Sequence, residues 1–268
     1  MMGSKDDTCA ILKRYREEWG ERLSLLAGPG KGFAANYLSL TCKSDIQANY
    51  YAYADQDDIW EADKLERSIR WLKSIPEDVP ALYCSRTRLI DADGKQIGFS
   101  PLFSKPPGFL NALVQNIGGG NTMVFNNAAR ELLRLAGEEI SAITHDWWAY
   151  QVVTGCGGRV FYDSYPSLRY RQHADNLVGM NNKWSSRFVR IRMMFQGRFK
   201  KWNDDHIKAL LKLENKLTPK NREILHRFAL TREKSLLPRL VGLAKLGIYR
   251  QTLLGNLGLI IAAIFKKI

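Results

Sequence analysis

The sequence predicts an α/β protein built on a doubly wound, mostly parallel sheet, with a helical and strongly basic C-terminal region. Three observations carry that prediction. Helical and strand periodicities alternate along the first two thirds of the chain at the spacing of βαβ units. A compact aromatic run, Tyr50-Tyr51-Ala52-Tyr53-Ala54, stops abruptly at Asp55-Gln56-Asp57-Asp58, the pattern of a buried strand ending in an acidic turn. Charge is also uneven: residues 183–268 hold 20 Lys and Arg against 5 Asp and Glu, which accounts for the whole excess of a chain of net charge +13.

At 268 residues and 45% hydrophobic content the chain has enough apolar material for one large or two small cores, and the charge step divides it at 1–182 and 183–268. Cys9, Cys42, Cys84 and Cys156 lie far apart with no Cys-x-x-Cys pair, so neither a zinc knuckle nor a disulfide framework is indicated and a reducing, cytoplasmic compartment is expected. No stretch reaches the ~18 uninterrupted apolar residues of a spanning helix, and Met1-Met2-Gly3-Ser4-Lys5-Asp6-Asp7 lacks the apolar centre of a signal peptide.

In chain order, Asp7 or Thr8 caps a helix whose apolar positions are Ile11, Leu12, Tyr15 and Trp19, and Leu23-Ser24-Leu25-Leu26 reads as a short strand. Ala27-Gly28-Pro29-Gly30-Lys31-Gly32 is a glycine-rich turn into a helix over 33–43, a geometry that can offer backbone N–H groups to phosphate or serve as an ordinary turn. Lys31 and Asn36 are the candidate contacts to such a phosphate, but no Gly-x-Gly-x-x-Gly or Walker sequence accompanies them. The acidic turn follows. Carboxylates this close repel one another unless they are solvated or share a cation, and Asp-x-Asp at the carboxyl end of a strand suits Mg²⁺ or Mn²⁺ bridging a diphosphate. Asp57 or Asp58 also suits a plain N-cap for the helix starting near Glu61. That helix turns Leu65, Ile69, Leu72 and Ile75 to one face, with Lys64, Glu66, Arg67 and Arg70 elsewhere, and ends at Pro76.

Ala81-Leu82-Tyr83-Cys84 is a strand, and the Asp93-Gly94 turn predicts a hairpin over 89–97. Residues 99–107 carry three prolines and read as a loop, followed by a short helix over 109–115. Gly118-Gly119-Gly120-Asn121 then feeds a Met123-Val124-Phe125 strand, where glycines allow either a close backbone approach to a ligand or a flexible turn, and 128–136 is the next helix. His145-Asp146-Trp147-Trp148 opens a helix to about Thr154. Burial beside Trp raises a carboxyl pKa and a helix N-terminus lowers it, so the sequence leaves Asp146 open as a base or an N-cap. Short strands over 159–162 and 168–173 close this region, the last carrying Arg171 and His173.

Four motifs in order, Tyr-Ala-Asp-Gln-Asp-Asp-Ile-Trp at 53–60, the glycine segment before Met-Val-Phe, His-Asp-Trp-Trp at 145–148, and Arg-Gln-His-Ala-Asp-Asn-Leu-Val-Gly at 171–179, closely resemble family 2 glycosyltransferases, in particular bacterial rhamnosyltransferase-like members. The resemblance runs from about Gly3 to Gly179. It implies a GT-A nucleotide-sugar-binding fold and inverting transfer from a dTDP- or UDP-sugar to a glycan or lipid-linked acceptor. It assigns Asp55 and Asp57 to the metal and diphosphate, with Gln56, Arg171 and His173 on the donor side and His173 near the metal. Asp146 becomes the catalytic base, and Gly119, Gly120, Asn121, Trp147 and Trp148 become acceptor contacts, although core packing is the favoured use for at least one of the tryptophans. Met2-Gly3-Ser4 matches the tail of the family's Asp-Asp-Gly-Ser motif, with Met2 in place of Asp. The family's first strand, first helix and second strand have no counterpart, so an N-terminally truncated sheet with an unpaired edge is expected, and a non-catalytic, partner-binding subunit is the alternative.

In the basic region, Trp184, Phe188, Ile191, Phe195, Phe199 and Trp202 recur at helical spacing among arginines and lysines, and Leu253 to Phe265 is a second apolar stretch ending in Lys266 and Lys267. Such patterns lie on anionic membranes or pack on the rest of the protein; the charge surplus favours a peripheral position at the inner face of the cell membrane. No nucleic-acid motif accompanies the charge, and nucleic acid is not an expected partner.

Overall fold

The structure, a computed structural model, describes residues 6–140, 142–172, 192 and 196–268. It is a mixed α/β arrangement in which the strands form two four-stranded mixed sheets rather than one mostly parallel sheet. In the first sheet β1 (Tyr50–Ala52), β6 (Val124–Asn126), β3 (Ala81–Ser85) and β7 (Arg159–Asp163) lie in that order, with only β3 and β7 parallel. In the second, β2 (Ile59–Trp60), β8 (Leu168–Arg171), β4 (Arg88–Ile90) and β5 (Gln96–Phe99) follow one another, with only β4 and β8 parallel. The hairpin read from Asp93-Gly94 is the β4–β5 pair, and Gly94 takes the positive φ that such a turn requires.

The helices follow the predicted pattern. They are α1 (Thr8–Trp19), α2 (Phe33–Cys42), α3 (Lys64–Leu72), α4 (Phe109–Ala112), α5 (Asn127–Ala136) and α6 (His145–Gly155). The expected strand at 23–26 is not formed, since no described strand lies beside it to accept its hydrogen bonds. Strand β1 is an edge whose described partner is β6 alone. Helix α1 buries none of its residues and leaves Ile11, Tyr15 and Trp19 about half exposed.

Register sets where the loops emerge. Because β1 and β6 are antiparallel with Ala52 opposite Val124, the end of β1 lies beside the start of β6, and Tyr53 N–H donates to Met123 O at 3.3 Å. The acidic turn and the glycine segment therefore leave the sheet side by side. Behind them runs α6, wholly buried apart from Asp146. Asn126 organises the far end of β6: its side chain caps α5 through Ala129 N–H, accepts Ala81 N–H at 2.9 Å and donates to Val79 O at 2.8 Å.

Among the described residues, four C-terminal helices follow: α7 (Arg198–Lys212), α8 (Pro219–Glu233), α9 (Leu236–Leu246) and α10 (Leu253–Ile264). Leu210, Leu225, Phe228 and Ala263 belong to the same hydrophobic core as Leu82, Phe125 and Trp148. Polar contacts seal the junction: Gln151 pairs with His206, Asn221 donates to Thr154 O and Gly155 O, and Asn111 donates to Tyr249 O. Of the aromatic stripe, Trp184, Phe188, Ile191 and Phe195 lie outside the described residues. Phe199 packs against the core, and Trp202 meets Phe199 and Trp147 edge to face at 5.1 and 6.4 Å. The described end of that stripe is therefore packing surface. Among the described residues no helix is long and apolar enough to cross a membrane.

A shared core implies shared cooperativity. Phe228→Ala, deep in α8, is expected to cost about 3–5 kcal/mol. Urea unfolding followed by tryptophan emission and by circular dichroism should shift together. Two separated transitions, with only one moved by the substitution, would contradict a common core.

Candidate functional site

The site begins with the turn after β1. Its residues have no capping role in α3, whose N-cap position is Asp63. Instead Asp55 and Asp58 are held by donors from other elements. The one hydroxyl proton of Tyr37, on α2, is shared between Asp55 Oδ1 and Ala54 O, both at 2.5 Å from the hydroxyl oxygen. Asp58 accepts the Asn121 side-chain amide on Oδ2 and the Arg171 backbone N–H on Oδ1, the latter at 3.0 Å. Gln56 is exposed at the tip, and Asp55 and Asp57 are half-exposed.

Burial pushes the Asp58 carboxyl up to about 6; the bonds from Asn121 and Arg171 oppose that rise, and the neighbouring Asp57 and Asp55 add to it. Burial, reinforced by the bond to Asp55, also raises the Tyr37 hydroxyl well above the usual tyrosine range, so it stays a donor. Arg171 stabilises the turn from outside. Its guanidinium donates to Asp57 O at 3.0 Å and to Asp91 O and Ala92 O of the β4–β5 turn at 3.2 and 2.6 Å.

The second group stands at the start of α6. Thr144, not Asp146, is the N-cap, its side chain accepting Trp147 N–H at 3.4 Å. Asp146 lies in the first turn, partly exposed, with Oδ1 accepting Trp147 N–H at 2.7 Å and Oδ2 accepting Gly120 N–H at 3.0 Å. Gly120 and Asn121 are consecutive residues of the Gly120–Thr122 turn. One turn thus holds Asp146 by its backbone and Asp58 by its next side chain. Only glycine fits there: a Cβ on residue 120 would lie 2.2 Å from His145 Nε2.

His145 forms a second link. Its ring stacks on Tyr37 with centroids 3.9 Å apart and meets Tyr53 edge to face at 4.7 Å. Among the described residues neither of its buried ring nitrogens has a hydrogen-bond partner. Burial pushes its pKa below the usual histidine range, against the pull of Asp146 and Asp55, and keeps the ring neutral at physiological pH. His145 therefore works as a wedge under Tyr37, sealed from a solvent proton.

The remaining candidates are distributed differently. Lys31 pairs with Glu139 at 3.2 Å on the surface, and Asn36 is half-buried on α2 beside Tyr37. Gly119 is exposed, whereas Gly120 and Asn121 are buried and committed to the two aspartates. Trp148 lies wholly inside the core, and Trp147 is 9% exposed with Nε1 donating to Ala112 O at 2.7 Å, so neither indole faces an acceptor. His173 lies outside the described residues. Among those described, no three His, Cys, Asp or Glu side chains converge as a ready-made metal cage. Mg²⁺ commonly needs only one or two carboxylates, with phosphate and water supplying the rest, and Asp55 and Asp57 fit that demand.

Two residues escape the sequence reading. Tyr37, one position after Asn36, is the one that reaches Asp55. Lys64 is fully buried, with Nζ 3.7 Å from the Trp60 ring centroid and no hydrogen-bond partner among the described residues. Burial lowers its pKa to about 8, while Asp58 pulls it upward. The buried face of α3 is therefore Lys64, Ser68 and Leu72, and Leu65 is 41% exposed, a rotation of the face expected from hydrophobic periodicity.

Comparison with known proteins gives the chemistry its class. No family model matches the chain. It is similar to the dTDP-rhamnosyl transferase RfbG of Shigella flexneri, 26% identical over 202 residues that cover 71% of this chain and 67% of that protein. The likeness supports a glycosyltransferase.

Two measurements test the geometry. Gly120→Ala should destabilise the fold by about 1–3 kcal/mol, the usual cost of overpacking, because turn or His145 must move; an unchanged urea midpoint would disprove the close approach. Between pH ~4 and ~6 folded Asp58 retains a proton that the unfolded chain has released, so its contribution to stability falls as pH rises through that window. Asp58→Asn, measured in EDTA, should flatten the stability profile there. Parallel profiles for variant and wild type would contradict the raised carboxyl.

Proposed function

We propose that the chain is an inverting glycosyltransferase that moves a sugar, rhamnose by likeness to its relative, from a nucleotide-diphosphate donor to a cell-surface glycan or lipid-linked acceptor. The observation that carries this reading is the Gly120–Thr122 turn, which binds Asp146 and Asp58 at once. Inverting transfer needs two different functions on opposite sides of one anomeric carbon, a proton acceptor and a stabiliser of the leaving diphosphate.

In this reading Asp146 takes the proton of the acceptor hydroxyl. As it does so, the acceptor oxygen bonds to the anomeric carbon and the bond from that carbon to the diphosphate oxygen breaks, releasing nucleoside diphosphate. The two N–H bonds on Asp146 fix the carboxylate and leave lone pairs for the incoming proton. Asp55 and Asp57 would hold a divalent cation, Mg²⁺ or Mn²⁺, which when bound neutralises charge on the departing diphosphate. Tyr37 keeps Asp55 oriented, and Arg171 braces the backbone of the turn. His145, buried and made less basic by that burial, is unsuited to replace Asp146 as base. An acceptor carried on a lipid would bring the protein to the inner face of a membrane, in keeping with the basic C-terminal region.

Asp146→Asn should preserve donor affinity and lower turnover by ~10²-fold or more, the usual scale for loss of a general base. Asp55→Ala and Asp57→Ala should instead lose cation-dependent donor binding while remaining folded. Calorimetry and a coupled assay for released nucleoside diphosphate separate the two effects; normal turnover in Asp146→Asn would remove it as the base.

A further inference from the structure

We infer that the α9–α10 hairpin is a membrane-docking surface that lays its outward apolar face into an anionic phospholipid bilayer. This deepens the membrane contact proposed above and assigns it to the outer faces of α9 and α10, since the described end of the aromatic stripe, Phe199 and Trp202, is packing surface.

The two helices are antiparallel neighbours. Arg239, at the start of α9, is buried and donates to Ala263 O at 2.7 Å and Ile264 O at 3.3 Å, at the end of α10, and to Lys234 O. That clamp satisfies helix-end carbonyls and fixes which sides face inward. Leu243 and Leu246 of α9, with Ala262 and Ala263 of α10, belong to the core. The opposite sides are apolar as well. On α9, Leu237 is 72% and Val241 51% exposed; on α10, Leu253 is 86%, Leu257 51% and Ile260 51% exposed. The spacings of four and of four and three are those of single helical faces.

A helix apolar on both sides is costly in water unless its outer side is covered. Charge selects the cover. Lys234 and Lys245 are exposed around this hairpin, Lys266 there shares Glu233 at 3.2 Å, and the region 183–268 carries 20 basic against 5 acidic residues. A second copy of so basic a surface would be repelled, whereas an anionic headgroup layer attracts lysines as the leucines enter the interface. At 12 residues α10 is too short to span a bilayer and suited to lie in its plane.

The test uses the full chain. It should co-sediment with vesicles of phosphatidylcholine and phosphatidylglycerol, bind phosphatidylcholine alone weakly, and release as salt rises. Leu253→Asp with Leu257→Asp, both at exposed positions, should lower partitioning on the order of 10-fold or more. Leu230→Asp, at an exposed position on α8, should bind as wild type does. The proposal is overturned if wild type remains in the supernatant, if the double variant binds equally well, or if the double variant dissolves a dimer instead of releasing lipid. Transfer to a soluble acceptor should be unchanged in the double variant, so failure of docking and failure of the transferase reading are separately visible.

Discussion

The structure depends on how the repulsion between its clustered carboxylates is contained. Asp55, Asp57 and Asp58 stand within four residues, and Asp146 is linked to them through one short turn. Left to themselves such groups would swing apart into solvent. Donors prevent this: the Gly120 backbone, the Asn121 amide, the Arg171 backbone and the Tyr37 hydroxyl each occupy a carboxylate oxygen. Since these donors come from α2, the β6 approach and β8, the site forms only when both sheets and the helical layer are assembled.

The steric side of the same constraint runs through His145. Its ring fills the space between Tyr37, Tyr53 and the Gly120 backbone, and residue 120 has no room for a Cβ. A buried imidazole without hydrogen bonds is unfavourable by itself. It is retained here where it supports the tyrosine that orients Asp55. Lys64 poses the same problem with opposite sign: a buried ammonium over Trp60 whose nearby compensating charge is Asp58. Both groups cost folding energy and both lie against the acidic turn, the pattern expected where local stability is given up for a site.

Much of this was legible in the sequence because period and turn chemistry are local. The helices at 8–19, 33–42, 127–136 and 145–155, the Asp-Gly hairpin and the acidic strand end all follow from neighbours in the chain. Strand order is not local: nothing in Ala81-Leu82-Tyr83-Cys84 says that it runs antiparallel to β6 and parallel to β7. Nor does a helical wheel reveal that Lys64 turns inward and Leu65 outward, because that rotation answers to Trp60 and Asp58 across a turn. Tyr37 was hidden likewise, its role being set by Asp55, eighteen residues away. The tryptophans after Asp146 illustrate the reverse case: an aromatic pair beside a carboxylate suits sugar stacking by type, yet α6 runs through the core and carries both inside.

The C-terminal helices close the core on one side and turn leucines outward on the other, so the basic region both supports α6 and offers a surface. The clasped carboxylates are the proposed nucleotide-sugar site. Isothermal titration of dTDP-rhamnose into the wild-type chain, with Mn²⁺ and then with EDTA, tests it most directly. Saturable binding to one site that disappears on chelation is the predicted result; no heat in either condition, for this donor or for other dTDP- and UDP-sugars, would contradict it.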